Sequence, residues 1–282
     1  MIYISDESID KMIGEDIPYL DLTTWALGIG DYKGRIEYYS REKAVLCGTE
    51  EVLRIFAKLG VSPVFSLPSG TEVGPGEVFL SAEGTAGALQ MAWKVTQNLL
   101  ECSSGIATKT RRVVDSVRAV NPEVSVASTR KSFPGTKALS VKAILCGGAS
   151  PHRLGLSETV LVFKEHAAFC GGPEALLDRI PGIKAKVPEK KLVVETDSVE
   201  YALALCRAGA DCLQFDKLPP EELLAASARL REINPGIVLL AAGGIDEHNA
   251  PSYAASGVDV LVTTALFFAK PLDMSVRLLP AE

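Results

Sequence analysis

The sequence predicts an α/β chain in two parts, a first α+β part followed by an incomplete or distorted β/α barrel of six units. Three observations predict it. From about residue 124 onward, short β-branched runs alternate with longer segments of helical periodicity, the pattern of βα units around a parallel sheet. The preceding residues lack that alternation and carry strand-like stretches split by Gly/Pro turns. A long helical run joins the two parts.

Taken in order, the first part opens on an acidic helical stretch and continues through the strand-like RIEYYS, KAVLCG and EVFLSAEG. Between them, TEVGPGE reads as a turn, its two glycines flanking Pro75. The run GALQMAWKVTQNLLECSSGIATKTRRVVDSVRAV is helical, with a break expected around Ser103-Ser104-Gly105. The domain boundary is placed there, giving domains 1–105 and 106–269. The six barrel strands are predicted at Val124 to Ser128, Thr159 to Phe163, Leu192 to Val194, Cys212 to Phe215, Ile237 to Ala241 and Val258 to Thr263. SVEYALALCRAGA and PPEELLAASARLREIN are helices between them, the second opening on Pro219-Pro220, and Gly209 and Gly257 fall where helices should end. Six units are fewer than the eight of a complete barrel, so the alternative is an open doubly wound sheet.

A chain of 282 residues with 47% hydrophobic content can bury a substantial core. The net charge of −6 and pI near 5.3 argue against a nucleic-acid partner, which needs a basic face. MIYISDESIDKMIG lacks a basic segment followed by an apolar one, and no apolar run reaches the roughly 20 residues that span a bilayer, so the expectation is a cytoplasmic protein with no membrane partner. The six cysteines form no CxxC pair and are expected to be buried free thiols.

In a β/α barrel, functional side chains gather at the C-terminal ends of the strands, where loops vary without disturbing the core. Here those ends carry Arg130 and Lys131, Lys164 and His166, Glu195, Asp216 and Lys217, Gly243-Gly244, and Thr263-Thr264. Basic groups converging in an acidic protein point to an anionic small molecule. Two carboxylates among them, Glu195 and Asp216, point to a bound Mg²⁺, which takes one or two protein carboxylates and completes its shell with water and substrate phosphate. The amides of Gly243 and Gly244, leading into a helix expected near Asp246, suit a phosphate.

With these residues in hand, the sequence resembles the quinolinate phosphoribosyltransferases, or nicotinate-nucleotide pyrophosphorylases. The resemblance is carried by GEDIPYLDLTT, NLLECSSGIATKT, STRKSFPGTKALSVKAILCGGASPHRLGL, VVETDSVEYALALCRAGAD, LQFDK, AAGGI and LDMSVRL. It implies an N-terminal α/β sandwich domain to which residues 270–282 return, an open β/α barrel, and a homodimer or assembly of dimers. It also implies a reaction joining a pyridine dicarboxylate to phosphoribosyl diphosphate with Mg²⁺, releasing diphosphate and CO₂. By that similarity Arg130, His152 and Arg153 would grip the substrate carboxylates and Lys131 would sit between base and ribose. Glu195 and Asp216 would face the ribose and its metal. Simple alternation sets the loop carrying His152 and Arg153 on the far face of the barrel, so their place rests on the resemblance alone.

Several positions depart from the family pattern. Lys94 stands where an arginine reaches in from the neighbouring subunit, and Phe163-Lys164-Glu165-His166 stands where the pattern is Lys-x-Asn-His, which moves the lysine one place. Lys217 replaces an asparagine, Ala242 a serine, and Thr264 a phosphate-facing glycine. Together with PYLDLTTWALGIG these resemble the ModD branch, whose members are named for association with molybdate-transport genes. Two other readings stay open at this point: a Schiff-base mechanism at Lys131, and a degenerate member that acts on another heterocycle or binds an oxyanion such as molybdate without catalysis.

Overall fold

The computed structural model describes residues 2–281, so Met1 and Glu282 of the predicted ranges lie outside the described residues. In chain order the elements are α1 (Asp6–Asp16), α2 (Leu22–Leu27), β1 (Lys33–Ser40), β2 (Ala44–Val45), α3 (Thr49–Leu59), β3 (Ser62–Ser66), β4 (Glu72–Val73), β5 (Val78–Thr85) and α4 (Ala86–Val120). There follow β6 (Ser125–Ser128), α5 (Lys137–Cys146), β7 (Ser150–Pro151), β8 (Val160–Val162), α6 (Lys164–Phe169), α7 (Pro173–Lys186), β9 (Leu192–Thr196), α8 (Val199–Ala208), β10 (Cys212–Asp216), α9 (Pro220–Ile233), β11 (Val238–Ala242), α10 (Ala250–Ala254), β12 (Val260–Thr263) and β13 (Met274–Pro280). Two units emerge: Met1–Arg111 with Ser132–Gly148 and Phe267–Glu282, and Arg112–Lys131 with Ala149–Leu266. The division between these compact units falls inside α4, and the segment carrying α5 belongs with the first unit.

In the first unit an antiparallel sheet runs in the order β13-β1-β5-β3. Strand β1 alternates buried and part-exposed residues, with Ile36 and Tyr38 facing inward, as a sheet with one covered face requires. Its core joins those residues to Ile9 of α1, Val52, Ile55 and Phe56 of α3, and Leu89 and Ala92 of α4. The return of 270–282 takes the form of β13, which pairs with β1 from Gly34↔Pro280 to Ser40↔Met274. Lys142 of α5 ties to α3 through Glu50 at 2.7 Å and the buried Glu51 at 2.5 Å.

Helix α4 corrects one expectation: it runs unbroken through Ser103-Ser104-Gly105. These small residues serve side-on packing. The Ser104 hydroxyl accepts a hydrogen bond from Cys47 N at 2.9 Å, and Thr108 accepts one from Val45 N at 2.8 Å. A side chain at position 105 would overlap the Lys270 carbonyl oxygen. Glycine here admits a neighbouring backbone instead of ending the helix. The thiols are free, as expected, but Cys102 is exposed and only Cys47, Cys206 and Cys212 are buried. Among the described residues no helix is long and apolar enough to cross a membrane.

The second unit is a curled parallel sheet in the order β7-β6-β12-β11-β10-β9-β8, ringed by helices. It has seven strands, one more than expected, because Ser150–Pro151 pairs in parallel with β6. The first strand, β6, pairs with the last, β12, which is the closing step of a barrel. Flattened, the sheet would set its edge strands roughly 29 Å apart, about the full reach of residues 152–159 at ~3.5 Å each. Curling relieves that stretch. The opening lies between β7 and β8, and the fold is the incomplete barrel rather than the doubly wound sheet.

Candidate active site

Alternation along each barrel strand decides which side chains meet inside. The interior carries Ala127, Leu161, Val193, Cys212, Leu240, Ala242 and Val262. Two residues onward the same inward parity reaches Thr129, Phe163, Glu195, Gln214, Asp216 and Thr264 at the strands' C-terminal ends. These residues line a cleft of about 740 Å³ at the barrel mouth, together with Arg130, Lys131, His152, Arg153, Gly243 and Gly244. The volume is that of a small-molecule site.

The extra strand resolves the placement of His152 and Arg153. Because Ser150–Pro151 is itself a strand, the pair follows a C-terminal strand end and reaches the mouth, with His152 N donating to Ser128 O at 2.9 Å. Burial, then the charge of Arg153, lowers the His152 pKa, so the imidazole is neutral at pH 7. The Arg153 guanidinium is itself shifted down, by burial and then by Arg130. Two cations close enough to repel one another favour an anion between them.

Strands β9 and β10 supply the acidic side. Gln214 and Glu195 are register partners on β10 and β9, and Gln214 Nε2 donates to Glu195 Oε2 at 2.5 Å. Burial, reinforced by Asp216 and Glu165, raises the Glu195 carboxyl above its ordinary range, against the pull of the Gln214 hydrogen bond and Lys131. Among the described residues no group of three or more metal-ligating side chains forms. Glu195 and Asp216 alone suit a Mg²⁺ that keeps several waters and takes substrate phosphate oxygens.

The diglycine is held by close approach. Gly243 has φ 84°, and a Cβ there would overlap Asp216 Oδ1 and Lys217. Lys217, at φ 60°, is the single non-glycine residue with positive φ among those described; its N donates to Ala242 O at 2.8 Å. The helix expected near Asp246 begins later, at Ala250, and spans five residues. Asp246 and Asn249 instead cap each other, Asp246 N donating to Asn249 Oδ1 at 2.9 Å. Any phosphate contact at Gly243-Gly244 therefore falls to loop amides, not to a helix dipole. Thr264 shares a 2.9 Å hydrogen bond with Thr129 at the rim.

Lys164, His166 and Lys94 are not among the residues that line this cleft. Lys164 opens α6 and lines a smaller pocket of about 180 Å³, which shares Phe163, Glu195 and Asp216 with the mouth. Parity is the reason: Phe163 continues the inward set of Leu161, so its successor points away. His166 of the same segment caps α6, its Nδ1 accepting from Phe163 N at 3.0 Å. Lys94 belongs to the first unit, where it lies over the Trp93 ring at 4.5 Å and lines a surface groove with Asp16 and Asp21. Lys131 is exposed, whereas an amine nucleophile needs a desolvated site. Gln214 was not singled out from sequence, although a polar residue two places before Asp216 on an otherwise apolar strand marks the same inward face.

Comparison with known proteins gives the family and the fold. The family models for the N-terminal and C-terminal domains of quinolinate phosphoribosyl transferase match residues 21–104 and 106–277. The pyrophosphorylase named ModD of Rhodobacter capsulatus is 45% identical over 250 residues, covering 89% of this chain and 96% of its own. That of Pasteurella multocida is 36% identical over 276 residues, covering 98% of each. A carboxylating nicotinate-nucleotide pyrophosphorylase of Methanothermobacter thermautotrophicus is 31% identical over 277 residues, covering 96% of this chain and 97% of its own. In fold, the chain matches the nicotinate-nucleotide pyrophosphorylase from Francisella tularensis with a TM-score of 0.89 at 22% identity, each covered to 98%. NadC from Streptococcus pyogenes gives 0.89 at 23%, each covered fully at 100%. Both family domains and relatives matched along nearly their whole length show that the chain belongs to the quinolinate phosphoribosyltransferase family.

Proposed function

We propose that the chain transfers a phosphoribosyl group from phosphoribosyl diphosphate to a pyridine-carboxylate or related heterocyclic base, releasing diphosphate. The observation that carries this reading is the meeting of Arg130, Lys131, His152 and Arg153 with Glu195 and Asp216 in one cleft. The family is one of pentosyltransferases, and the cleft holds what such a transfer needs. Arg130 and Arg153 bind the carboxylate of the base, with neutral His152 as a hydrogen-bond partner beside them. Glu195 and Asp216 face the ribose, where their negative charge stabilises the positive charge that develops at the anomeric carbon as diphosphate leaves. The same two carboxylates would hold a Mg²⁺, which supplies charge neutralisation on the diphosphate. Gly243, Gly244 and Thr264 serve the phosphate end. A pure oxyanion binder has no use for two carboxylates in its site, which favours the transferase over that alternative.

The base differs from quinolinate in this reading. Phe163 lines the cleft where the family pattern has a lysine, and Lys164 faces the side pocket. Losing one charge-assisted contact costs roughly 1.5–3 kcal/mol, about ten- to more than a hundredfold in affinity. A monocarboxylate base is therefore expected to exceed quinolinate in kcat/KM at saturating phosphoribosyl diphosphate and Mg²⁺. Efficient quinolinate turnover, at about 10⁴ M⁻¹s⁻¹ or above, would refute the drift.

The assembly is proposed to be a homodimer or an assembly of dimers. Tyr19, Leu20, Leu22, Trp25 and Leu27 in and around α2 are all exposed, a density of apolar side chains that marks an interaction surface. Sedimentation at micromolar concentration should show a dimer or larger species; a monomer would contradict the proposal.

A further inference from the structure

Gln214 is 5% exposed and lies inside the barrel, so both ends of its amide need partners. One end has one, since Nε2 donates to Glu195 Oε2. The other does not: Oε1 is buried and meets no hydrogen-bond partner among the described residues. The geometry sets the orientation: the amide NH₂ faces Glu195 Oε2, which leaves Oε1 as the end without a partner. The strand residues in register on that side carry no side-chain donor: Gln214 pairs with Leu240, which pairs with Val260. Yet Gln214 lines the mouth cleft. The cleft is charged at its rim, where Arg130, Lys131 and Gly244 are exposed, and apolar below, at Leu161, Ala242 and Val262. Anionic parts of a ligand belong at the rim, and a ring edge belongs beside Gln214.

We propose that Gln214 is a specificity residue whose Oε1 accepts a hydrogen bond from an N–H or O–H on the inserted edge of the base. The substrate class is then a heterocyclic carboxylate bearing an amino group, a hydroxyl or a ring N–H in addition to the nitrogen that is ribosylated. Phe163 packs against the ring where a cation would have held a second carboxylate. A dicarboxylate presents only acceptors at that edge, and lone pairs against Oε1 repel. The inference deepens the transferase reading and rests on it.

The test pairs bases that differ by one donor: a pyridine monocarboxylate, its amino and hydroxyl derivatives, and the methyl derivative as a size control. Each is titrated against the full-length protein calorimetrically, and kcat/KM is measured with saturating phosphoribosyl diphosphate and Mg²⁺. The best donor-bearing base should exceed the methyl analogue by about tenfold or more, and Gln214→Leu should bring that ratio near one. If Gln214→Leu fails to fold, Gln214→Met and the wild-type series still give the ratio. Turnover of every base with no preference for a donor would overturn the inference while leaving the transferase reading intact. Donor-selective binding without turnover of any base would support the role of Gln214 while counting against transfer. A preference that survives both substitutions would also overturn it.

Discussion

Alanine at Gly243 is expected to disable the cleft, whereas alanine at the adjacent Gly244 should be tolerated far better. Both glycines have positive φ, 84° and 74°, so each substitution carries a backbone cost of about 1–2 kcal/mol. At Gly244 that is the whole cost, because a Cβ there meets nothing within 4 Å. At Gly243 the Cβ would overlap Asp216 Oδ1, the Lys217 side chain and the Lys217 amide nitrogen at 2.8 Å. Backbone cannot yield as a flexible side-chain tip can, so the ends of β10 and β11 must part. A displacement of about 1 Å at a reacting group costs on the order of a hundredfold. Gly243→Ala should thus lower kcat/KM by about two orders of magnitude, with a lower melting temperature than Gly244→Ala. Equal behaviour of the two variants in melting and turnover would show that the close approach of the two strand ends is unimportant.

The largest loss of stability is expected from Lys142→Met. The Lys142 side chain is 13% exposed and that of Glu51 5%, so removing the lysine strands a buried carboxylate. Breaking such a pair from one side typically costs 3–5 kcal/mol. Burial opposes ionisation of Glu50, but hydrogen bonds from Lys142 and then Ser69 outweigh it and hold its pKa at about 2. A depressed carboxylate contributes stability that is present above its unfolded value near 4.3 and lost as pH falls toward 2. The gap between wild type and Lys142→Met should therefore be widest near neutrality and narrow below about pH 4. Chemical denaturation across that range reads it directly, and Glu51→Gln in the variant background should recover part of the loss. A gap independent of pH would mean that the lysine acts through packing alone.

Much of this architecture was legible in the residues, for physical reasons that differ by element. The strands at 160–162, 192–196, 212–216, 238–242 and 260–263 are largely apolar runs bounded by helical segments, which makes their pattern stand out. A strand of two residues has no period, which is why Ser150–Pro151 escaped and with it the physical reason for His152 and Arg153 reaching the mouth. The serines and glycine within α4 resemble a break because propensity is local, while the Cys47 and Lys270 backbones that they admit come from distant sequence. Glu195, Asp216 and Gly243-Gly244 were legible from the rule that strand ends carry function. Gln214 and Phe163 required the further step of following inward parity one residue at a time. The departure at Lys164 shows the value of that step, since a shift of one place moved the charge from the mouth to the side pocket.

The central claim, that one cleft binds phosphoribosyl diphosphate for transfer, is tested most directly by calorimetric titration of that compound with and without Mg²⁺. Wild type should bind it, more tightly with the metal, and the Glu195→Gln, Asp216→Asn double variant should lose the metal-dependent part while remaining folded by circular dichroism. Undiminished Mg²⁺-dependent binding in the double variant would remove the two carboxylates from the account, and no binding by wild type under either condition would contradict the transferase reading itself.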